Sequence, residues 1–128
     1  MKYLLDTHVF IWWHQDKARL ANAVIEACED ARHELYLSMA SIWEMQIKIS
    51  LGKLEIADSL EVALLRQAEH GIQVLGIQQH HILGMTELPE IHADPFDRLL
   101  ASQSKLEEMT LITADRRLQS YPIKTFWQ

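Results

Sequence analysis

The chain opens on a short apolar run that ends at an acid. Tyr3, Leu4 and Leu5 are contiguous rather than alternating with polar residues, which favours a strand buried on both faces, although a buried helix segment would show the same run. If the strand is central in a parallel sheet, Asp6 lies at its carboxyl end, the edge at which open α/β sheets bind their ligands. Two roles therefore stay open for Asp6: a carboxylate of a site, or the N-cap of the next helix.

Further apolar runs alternate with helical patterns along the chain. The strand-like runs are residues 35–38, 72–77, 109–113 and, as an edge strand, 123–127. The helical patterns cover residues 17–31, 42–49, 58–70, 78–85, 95–102 and 116–118. This order indicates an α/β fold, and Asp115 follows the strand at 109–113 as Asp6 follows the first strand.

Length and composition fit one globular domain, residues 1–128, because 48% of the residues are hydrophobic and can form a single core. No apolar stretch approaches the ~18 residues of a membrane span, and no signal-peptide pattern is present. We expect a soluble, cytoplasmic protein without a membrane partner. The net charge of −6 argues against coating of nucleic acid by bulk electrostatics, but not against a nuclease whose site is a carboxylate cluster with a divalent cation.

Glu44 lies in the helix predicted over residues 42–49, and its role depends on where that helix begins. Ser41 and Glu44 have the S-x-x-E spacing of a capping box, which is the favoured interpretation. If Ser38 is the cap instead, Glu44 lies further into the helix and is free to face a cleft.

Asp94 and Pro95 form a strong helix start, with Asp94 as the N-cap and Pro95 at the first helical position. Asp97 then lies in the first turn. The helix dipole favours an anion there by up to about 1 kcal/mol, and this effect alone would account for the residue.

Several other residues have no expected place in a site. Cys28, the single cysteine, is predicted to be a packing residue. Trp12 and Trp13, between the first strand and the helix that follows, rarely both fit one core, so one of them, or Phe10, is expected on a partner surface. His80 and His81 would point about 100° apart on a helix, which makes them poor joint metal ligands, and we interpret both as solvated or partner-facing.

Four carboxylates nevertheless form a joint pattern: Asp6, Glu44, Asp97 and Asp115. Bringing several carboxylates together costs free energy through like-charge repulsion, so such clusters usually hold a metal ion or a shared proton. Ligands that are all oxygen favour Mg²⁺ or Mn²⁺ over zinc.

Four ordered segments carry a family pattern along almost the whole chain. They are Leu4-Leu5-Asp6-Thr7-His8, Ser38 with Ser41-Ile42-Trp43-Glu44, Asp94-Pro95-Phe96-Asp97-Arg98-Leu99-Leu100-Ala101, and Leu111-Ile112-Thr113-Ala114-Asp115. Together they resemble the motifs of PIN-domain ribonucleases, and most closely those of VapC-type toxins of bacterial toxin–antitoxin pairs.

The resemblance implies a three-layer fold, in which helices flank a central, mostly parallel sheet of four to five strands. It also implies a Mg²⁺ or Mn²⁺ site and endonucleolytic cleavage of an RNA substrate. Asp6, Glu44, Asp97 and Asp115 would be the catalytic quartet, with Asp6 and Asp97 as direct metal ligands. Thr7 or Thr113 would orient these acids without contacting the metal themselves.

Three arginines lie beside the acids in the chain and are candidates for contact with backbone phosphates. They are Arg98, Arg116 and Arg117. Solvated helix faces or pairing with local acids would explain them equally well.

The resemblance further implies a homodimer and a cognate antitoxin that lies over an apolar groove and obstructs the acidic site. Trp12, Trp13 and the helix at 42–49 are the candidate surfaces.

Two other classes of protein share parts of this pattern. Receiver and haloacid-dehalogenase domains are also α/β with an aspartate after the first strand. The latter expect a second aspartate at position 8, where this chain has His8, and no lysine closely follows residues 112–113 as a receiver requires. A catalytically silent protein of the PIN fold, which only binds RNA or a partner, is the other alternative, and the presence of all four acids counts against it.

Overall fold

A computed structural model describes residues 1–128, which form five strands and seven helices. The strands are β1 (Lys2–Leu5), β2 (Glu34–Ser38), β3 (Ile72–Leu75), β4 (Thr110–Ile112) and β5 (Thr125–Phe126). The helices are α1 (Thr7–Gln15), α2 (Asn22–Glu29), α3 (Met39–Ser50), α4 (Leu60–Glu69), α5 (Gln79–Leu83), α6 (Pro95–Leu106) and α7 (Arg116–Gln119), with 3₁₀ turns at Lys17–Arg19 and Gly84–Glu87. None of the helices combines the length and the hydropathy that crossing a bilayer requires.

β1 lies at the centre of the sheet, and its side chains join two separate cores. All neighbouring strands pair in parallel, in the order β3-β2-β1-β4-β5. Leu5 packs with Phe10 in the larger cluster of buried side chains, and Leu4 packs with Leu100 in the smaller one. Full burial of such a side chain stabilises a fold by about 1.5–3 kcal/mol. Helices therefore cover both faces, and the predicted α/β fold with a parallel sheet is confirmed.

The strand register brings several chain segments to one edge of the sheet. Leu5 pairs with Leu37 of β2 and with Ile112 of β4. The backbone N–H of Asp6 donates to the carbonyl of Ile112 at 3.0 Å, which extends this ladder by one residue. The polar residues that follow the paired row are Asp6, Ser38 and Thr113. They leave the sheet side by side at its carboxyl edge.

The helix after β1 starts earlier than the sequence suggested. α1 begins at Thr7 and contains Trp12 and Trp13, so their predicted place between strand and helix is wrong. Residues 9–13 are all apolar and therefore show no helical period. Trp13 is buried in the larger cluster, and its indole N–H donates to Gln67 Oε1 at 2.9 Å.

α2 is shorter than the helix predicted over residues 17–31. After the 3₁₀ turn, Leu20 takes an extended conformation with φ −87° and ψ 142°. Leu20 and Cys28 are both buried in the larger cluster, so the spacing that suggested one helix comes from two elements on the same core. The prediction that Cys28 is a packing residue is confirmed, and burial raises the pKa of its thiol to about 11.

α3 follows β2 without a loop, and Ser38 is its N-cap. The Ser38 hydroxyl oxygen accepts the backbone N–H of Ala40 at 3.0 Å and donates to Gln103 Oε1 at 2.5 Å. The favoured capping box between Ser41 and Glu44 is therefore wrong. Glu44 lies in the second turn of α3, as the alternative start at Ser38 requires.

The other helix starts agree with their local signals. Ser59 accepts the backbone N–H of Val62 at the start of α4, and Asp94 accepts that of Phe96 at the start of α6. Gly71, just past α4, has a φ of +92°, the left-handed conformation predicted for that position. β3 ends before Gly76 instead of continuing to residue 77, and β5 is shorter than predicted.

Ser38→Ala should lower the free energy of unfolding by about 2 kcal/mol or more, because it removes a cap worth about 1 kcal/mol and leaves buried Gln103 Oε1 without this donor. Ser59→Ala is the matched control, since it removes an exposed cap and strands no buried group. It should cost about 1 kcal/mol. Urea unfolding followed by circular dichroism measures both, and equal losses would mean that the Ser38–Gln103 hydrogen bond contributes nothing.

Candidate metal centre

An open cleft of about 560 Å³ lies at the carboxyl edge of the sheet. The acidic side chains that line it are Asp6, Glu44, Asp94, Asp97 and Asp115. The basic side chains that line it are Arg19, Lys48 and Arg117. All four predicted site carboxylates therefore come together, although they lie far apart in the chain.

Asp6 makes the contacts of a site residue rather than those of a helix cap. Its side chain forms no hydrogen bond to the start of α1, although it occupies the N-cap position. Oδ2 accepts the Thr113 hydroxyl at 2.7 Å, while Oδ1 is buried without a partner. Burial raises the pKa of Asp6, and the Thr113 hydrogen bond opposes the rise only in part. Since an unpaired buried acceptor costs about 1–3 kcal/mol, and a charged one more, Oδ1 is suited to a cation.

Glu44 reaches the cleft from α3 with both of its oxygens held. The Thr7 hydroxyl oxygen lies 2.8 Å from Glu44 Oε1 and 2.8 Å from Ser41 Oγ. Because an ionised carboxylate only accepts, Thr7 donates to Glu44 and accepts from Ser41. Lys48 Nζ, one turn further along α3, lies 2.7 Å from Glu44 Oε2, and this contact raises the pKa of Lys48. Lys48 therefore offsets part of the negative charge of the cleft.

Asp97 lies in the first turn of α6, where burial and neighbouring carboxylates both oppose the ionisation of its side chain. Burial, together with the negative charges of Asp6, Asp94, Glu44 and Asp115, raises the pKa of Asp97 to about 8. The helix dipole favours an anion at this position, but by at most about 1 kcal/mol, and here it is outweighed. A bound cation would relieve this repulsion.

Asp115 uses one oxygen for the fold and the other for the cleft. Oδ1 accepts the backbone N–H of Arg117 at 2.8 Å as the N-cap bond of α7, and Oδ2 faces His92. Thr113 Oγ1 accepts the backbone N–H of Asp115 at 3.0 Å while it donates to Asp6. Burial would raise the pKa of Asp115, but the hydrogen bonds from Arg117 and His92 bring it below its ordinary value.

His92 belongs to the site and was not identified from the sequence. Its Nε2 lies 2.9 Å from Asp97 Oδ2 and 3.1 Å from Asp115 Oδ2, and its side chain is only 5% exposed. A histidine in a loop has no periodic pattern to mark it. Position was the one available signal, since a histidine two residues before the N-cap of a helix that carries a site acid lies near that acid in the chain.

Of the three arginines predicted to contact phosphate, one lines the cleft and two lie elsewhere. Arg98 does not line the cleft, because its guanidinium donates to the carbonyls of Pro89 and Met85 at 3.0 and 2.8 Å. It ties α6 to the preceding loop. Arg116 also lies outside, whereas Arg117 lines the cleft.

A second histidine cluster lies at the far end of α6. His81 is fully buried, so its interpretation as solvated or partner-facing is wrong, whereas His80 is exposed. His81 Nε2 lies 2.7 Å from Glu107 Oε2, and Nδ1 accepts the backbone N–H of Gln78 at 3.0 Å. Because Nδ1 accepts, the ring hydrogen is on Nε2 and points at Glu107. The pair therefore joins α5 to the end of α6 and does not offer a nitrogen to a metal.

The acidic cluster in the cleft fits a metal ion on two grounds. Asp6 presents a buried oxygen without a hydrogen-bond donor, and Asp97 is surrounded by like charges that its own helix does not compensate. These acidic residues could hold a cation.

The chain is similar to known proteins in sequence and in fold. Residues 3–124 match the family model described as PIN domain. The chain is 32% identical over 119 residues to Ribonuclease VapC22 of Mycobacterium tuberculosis, covering 92% of this chain and 90% of that protein. Its fold is similar to a chain of VapBC2 from Rickettsia felis, solved with a DNA fragment from their promoter, with a TM-score of 0.77, 17% identity and all of both chains covered. VapBC-1 from nontypeable Haemophilus influenzae gives a TM-score of 0.65 and 16% identity over 98% of this chain and 97% of that one.

Metal-free protein should lose stability as the pH rises from about 4 to about 8. Asp97 has a pKa of about 8 in the folded state against about 3.9 when unfolded, so the folded state binds the proton more tightly. This contribution is complete below the lower value and is lost as the pH passes through the upper one. Asp97→Asn should flatten the profile and raise Tm at about pH 8 by about 4 °C, equivalent to about 1 kcal/mol.

Thermal unfolding in EDTA across this pH range tests the prediction. Asp94→Asn is the matched control, because asparagine is as good an N-cap as aspartate and stability should change by less than about 1 kcal/mol. If Asp97→Asn is less stable than wild type at about pH 8, Asp97 serves the helix start alone.

Proposed function

The chain belongs to the PIN-domain family, and on that premise we propose that it is a divalent-metal-dependent endoribonuclease, the toxin of a toxin–antitoxin pair. One observation carries the proposal: Asp6, Glu44, Asp97 and Asp115 converge in a single cleft at the carboxyl edge of the sheet. The name of the mycobacterial relative, a ribonuclease similar over most of both chains, supports the reaction. We assign the activity to residues 1–128 as one domain.

We assign Mg²⁺ or Mn²⁺ to the cleft, with Asp6 and Asp97 as direct ligands. Carboxylate oxygens are the donors that these ions prefer. Asp6 offers the oxygen without a hydrogen-bond donor, and Asp97 the carboxylate that its neighbours destabilise as an anion. Glu44 and Asp115 already accept hydrogen bonds on both oxygens, so they would act through water molecules. When bound, the ion lowers the pKa of water and neutralises charge that develops on the phosphate.

Side chains around the acids would bind the RNA backbone and hold the site in shape. Lys48, Arg19 and Arg117 line the cleft and can contact phosphate oxygens. The Arg19 guanidinium lies over the Trp12 ring, 4.8 Å from its centroid, so a cation and an aromatic surface for a base stand together. Glu44, held by Lys48 and Thr7, is placed to orient a water molecule for attack on the phosphate.

We place the antitoxin in the groove beside the cleft, between α1 and α3. Its lining includes Trp12, Met45 and Leu54, and it shares Lys48 with the cleft. A segment bound there would obstruct access to the acids. The similar structures from Rickettsia felis and Haemophilus influenzae are VapBC complexes, which supports a protein partner. Trp13 does not contribute, because it is buried in the core.

Exposed apolar side chains on α5 and at the end of α6 support a homodimer. Ile82, Leu83 and Leu106 are 53%, 61% and 43% exposed. The two helices pack against each other, so these side chains belong to neighbouring surfaces. Large apolar groups gathered in this way mark an interaction surface more often than single exposed leucines do.

Protein stripped of metal should not cleave RNA in excess EDTA, and added Mn²⁺ or Mg²⁺ should restore cleavage, because the centre is built from carboxylate oxygens. A mixed panel of labelled RNAs provides the assay. Full cleavage in EDTA would rule out the metal dependence. Binding of RNA without cleavage in either metal would indicate a catalytically silent protein of the same fold.

Asp97→Asn and Asp94→Asn form a matched pair for this assay, three residues apart at one helix start. Asp97→Asn should lower the cleavage rate by at least about a hundredfold, the scale expected when one electrostatic contact to the transition state is lost. Asp94→Asn should retain most of the activity because the cap is preserved. Near wild-type cleavage by Asp97→Asn would remove Asp97 from the catalytic set.

Expression of the chain alone should arrest bacterial growth, and co-expression of the small protein encoded beside it should relieve the arrest. Asp97→Asn, expressed at the same level, should leave growth unaffected. Growth curves after induction measure the effect, and sequencing of the RNA fragments that accumulate identifies the target. If soluble, RNA-cleaving protein does not slow growth, the nuclease assignment stands and the toxin role is wrong.

A further inference from the structure

We propose that His92 is a positioning residue, which holds the Asp115 carboxylate beside that of Asp97 through its Nε2–H and is not itself a ligand of the metal. The inference deepens the proposed function, since it concerns the same cleft. It can be tested without RNA, because it concerns the geometry of the acids and their affinity for a cation.

The hydrogen bonds of the imidazole ring decide which nitrogen carries the hydrogen. Nδ1 accepts the backbone N–H of Asp94 at 3.2 Å, so its lone pair is occupied and it is not protonated. The ring hydrogen is therefore on Nε2, which lies 2.9 Å from Asp97 Oδ2 and 3.1 Å from Asp115 Oδ2. This nitrogen donates its hydrogen to Asp115 Oδ2 and therefore has no lone pair for a metal. A histidine among acids can either orient the carboxylates or bind the metal, and this hydrogen position favours the first role.

Contacts on the other side of the loop fix the ring in place. The backbone N–H of His92 donates to the hydroxyl of Tyr121 at 2.9 Å, and Tyr121 is buried. Arg98 also donates to the Tyr121 hydroxyl, at 3.3 Å, and holds the loop through the carbonyl of Pro89. The position of His92 is thus set by the protein scaffold and does not depend on a cation.

Asp115 shows what the Nε2–H of His92 contributes. Its Oδ1 accepts the backbone N–H of Arg117 at the start of α7. This capping bond fixes the position of Oδ1 but not the direction of Oδ2. The hydrogen bond from His92 fixes Oδ2 toward Asp97. Without it, Oδ2 could turn to solvent while the cap remains intact, because the side chain is 26% exposed. His92 thereby keeps the N-cap carboxylate of α7 close to the Asp97 carboxylate of α6.

Mn²⁺ titration calorimetry on the whole protein tests the role with two variants. His92→Ala should weaken Mn²⁺ binding by about 10–100-fold, the range typical of residues that orient metal ligands. In His92→Gln the amide supplies an acceptor and an N–H donor, and it should restore most of the affinity. His70→Ala, at an exposed histidine away from the cleft, is the matched control and should bind as wild type.

Two measurements on wild-type protein need no variant. ¹⁵N shifts of the metal-free protein should show the Nε2–H tautomer for His92. Pulsed electron paramagnetic resonance of the Mn²⁺-loaded, ¹⁵N-histidine-labelled protein should show no coupling from a coordinated histidine nitrogen.

The inference is overturned if His92→Ala binds Mn²⁺ as tightly as wild type, or if His92→Gln is as weak as His92→Ala. A coordinated histidine nitrogen, or the Nδ1–H tautomer in the metal-free protein, would also overturn it. If wild type binds Mn²⁺ with the predicted dependence on His92 but cleaves no RNA, the proposed nuclease function fails and the positioning role stands.

Discussion

The parallel pairing of β1 with β2 and β4 is the constraint on which the cleft depends. Leu4 and Leu5 are buried on opposite faces of the sheet, and this burial fixes the register. A slip of one residue would exchange the two faces, disrupt the packing of both cores and turn Asp6 away from its neighbours. In the observed register, Thr113 at the end of β4 donates to Asp6 at the end of β1 at 2.7 Å. Core packing therefore decides where the central acid stands.

The cleft holds three of its four predicted acids in place with hydrogen-bond donors, and Asp97 is the one that has none. The donors are Thr113 for Asp6, Thr7 and Lys48 for Glu44, and His92 for Asp115. Apart from Lys48, these donors orient the carboxylates without neutralising them. Repulsion therefore remains, as the raised pKa of Asp97 shows, and Oδ1 of Asp6 still has no hydrogen-bond donor. The fold thus accepts a loss of stability at one edge that a cation would offset.

Features that depend on neighbouring residues in the chain were predictable from the sequence. The caps at Ser59 and Asp94 are of this kind, and the match to the PIN-domain model over residues 3–124 confirms the family inferred from the ordered motifs. The features that the sequence did not predict depend on contacts between residues far apart in the chain. The local pattern favoured Ser41 over Ser38, and what distinguishes Ser38 is its hydrogen bond to Gln103 of α6. The role of His92 was hidden for the same reason, because one of its two carboxylates belongs to α7. Sequence patterns located the acids but not the groups that hold them.

A capping role and a site role do not exclude each other where helices begin at a sheet edge. Asp115 caps α7 with one oxygen and faces the cleft with the other, so a strong cap signal in the sequence was no argument against chemistry. Asp6 shows the complementary case, since it precedes α1 but leaves the cap bond unmade. The positive ends of α1, α6 and α7 lie beside these acids, and each can stabilise a nearby anion by about 0.3–1 kcal/mol. The helix dipoles therefore offset part of the repulsion among the carboxylates, and the raised pKa of Asp97 shows that the offset is incomplete.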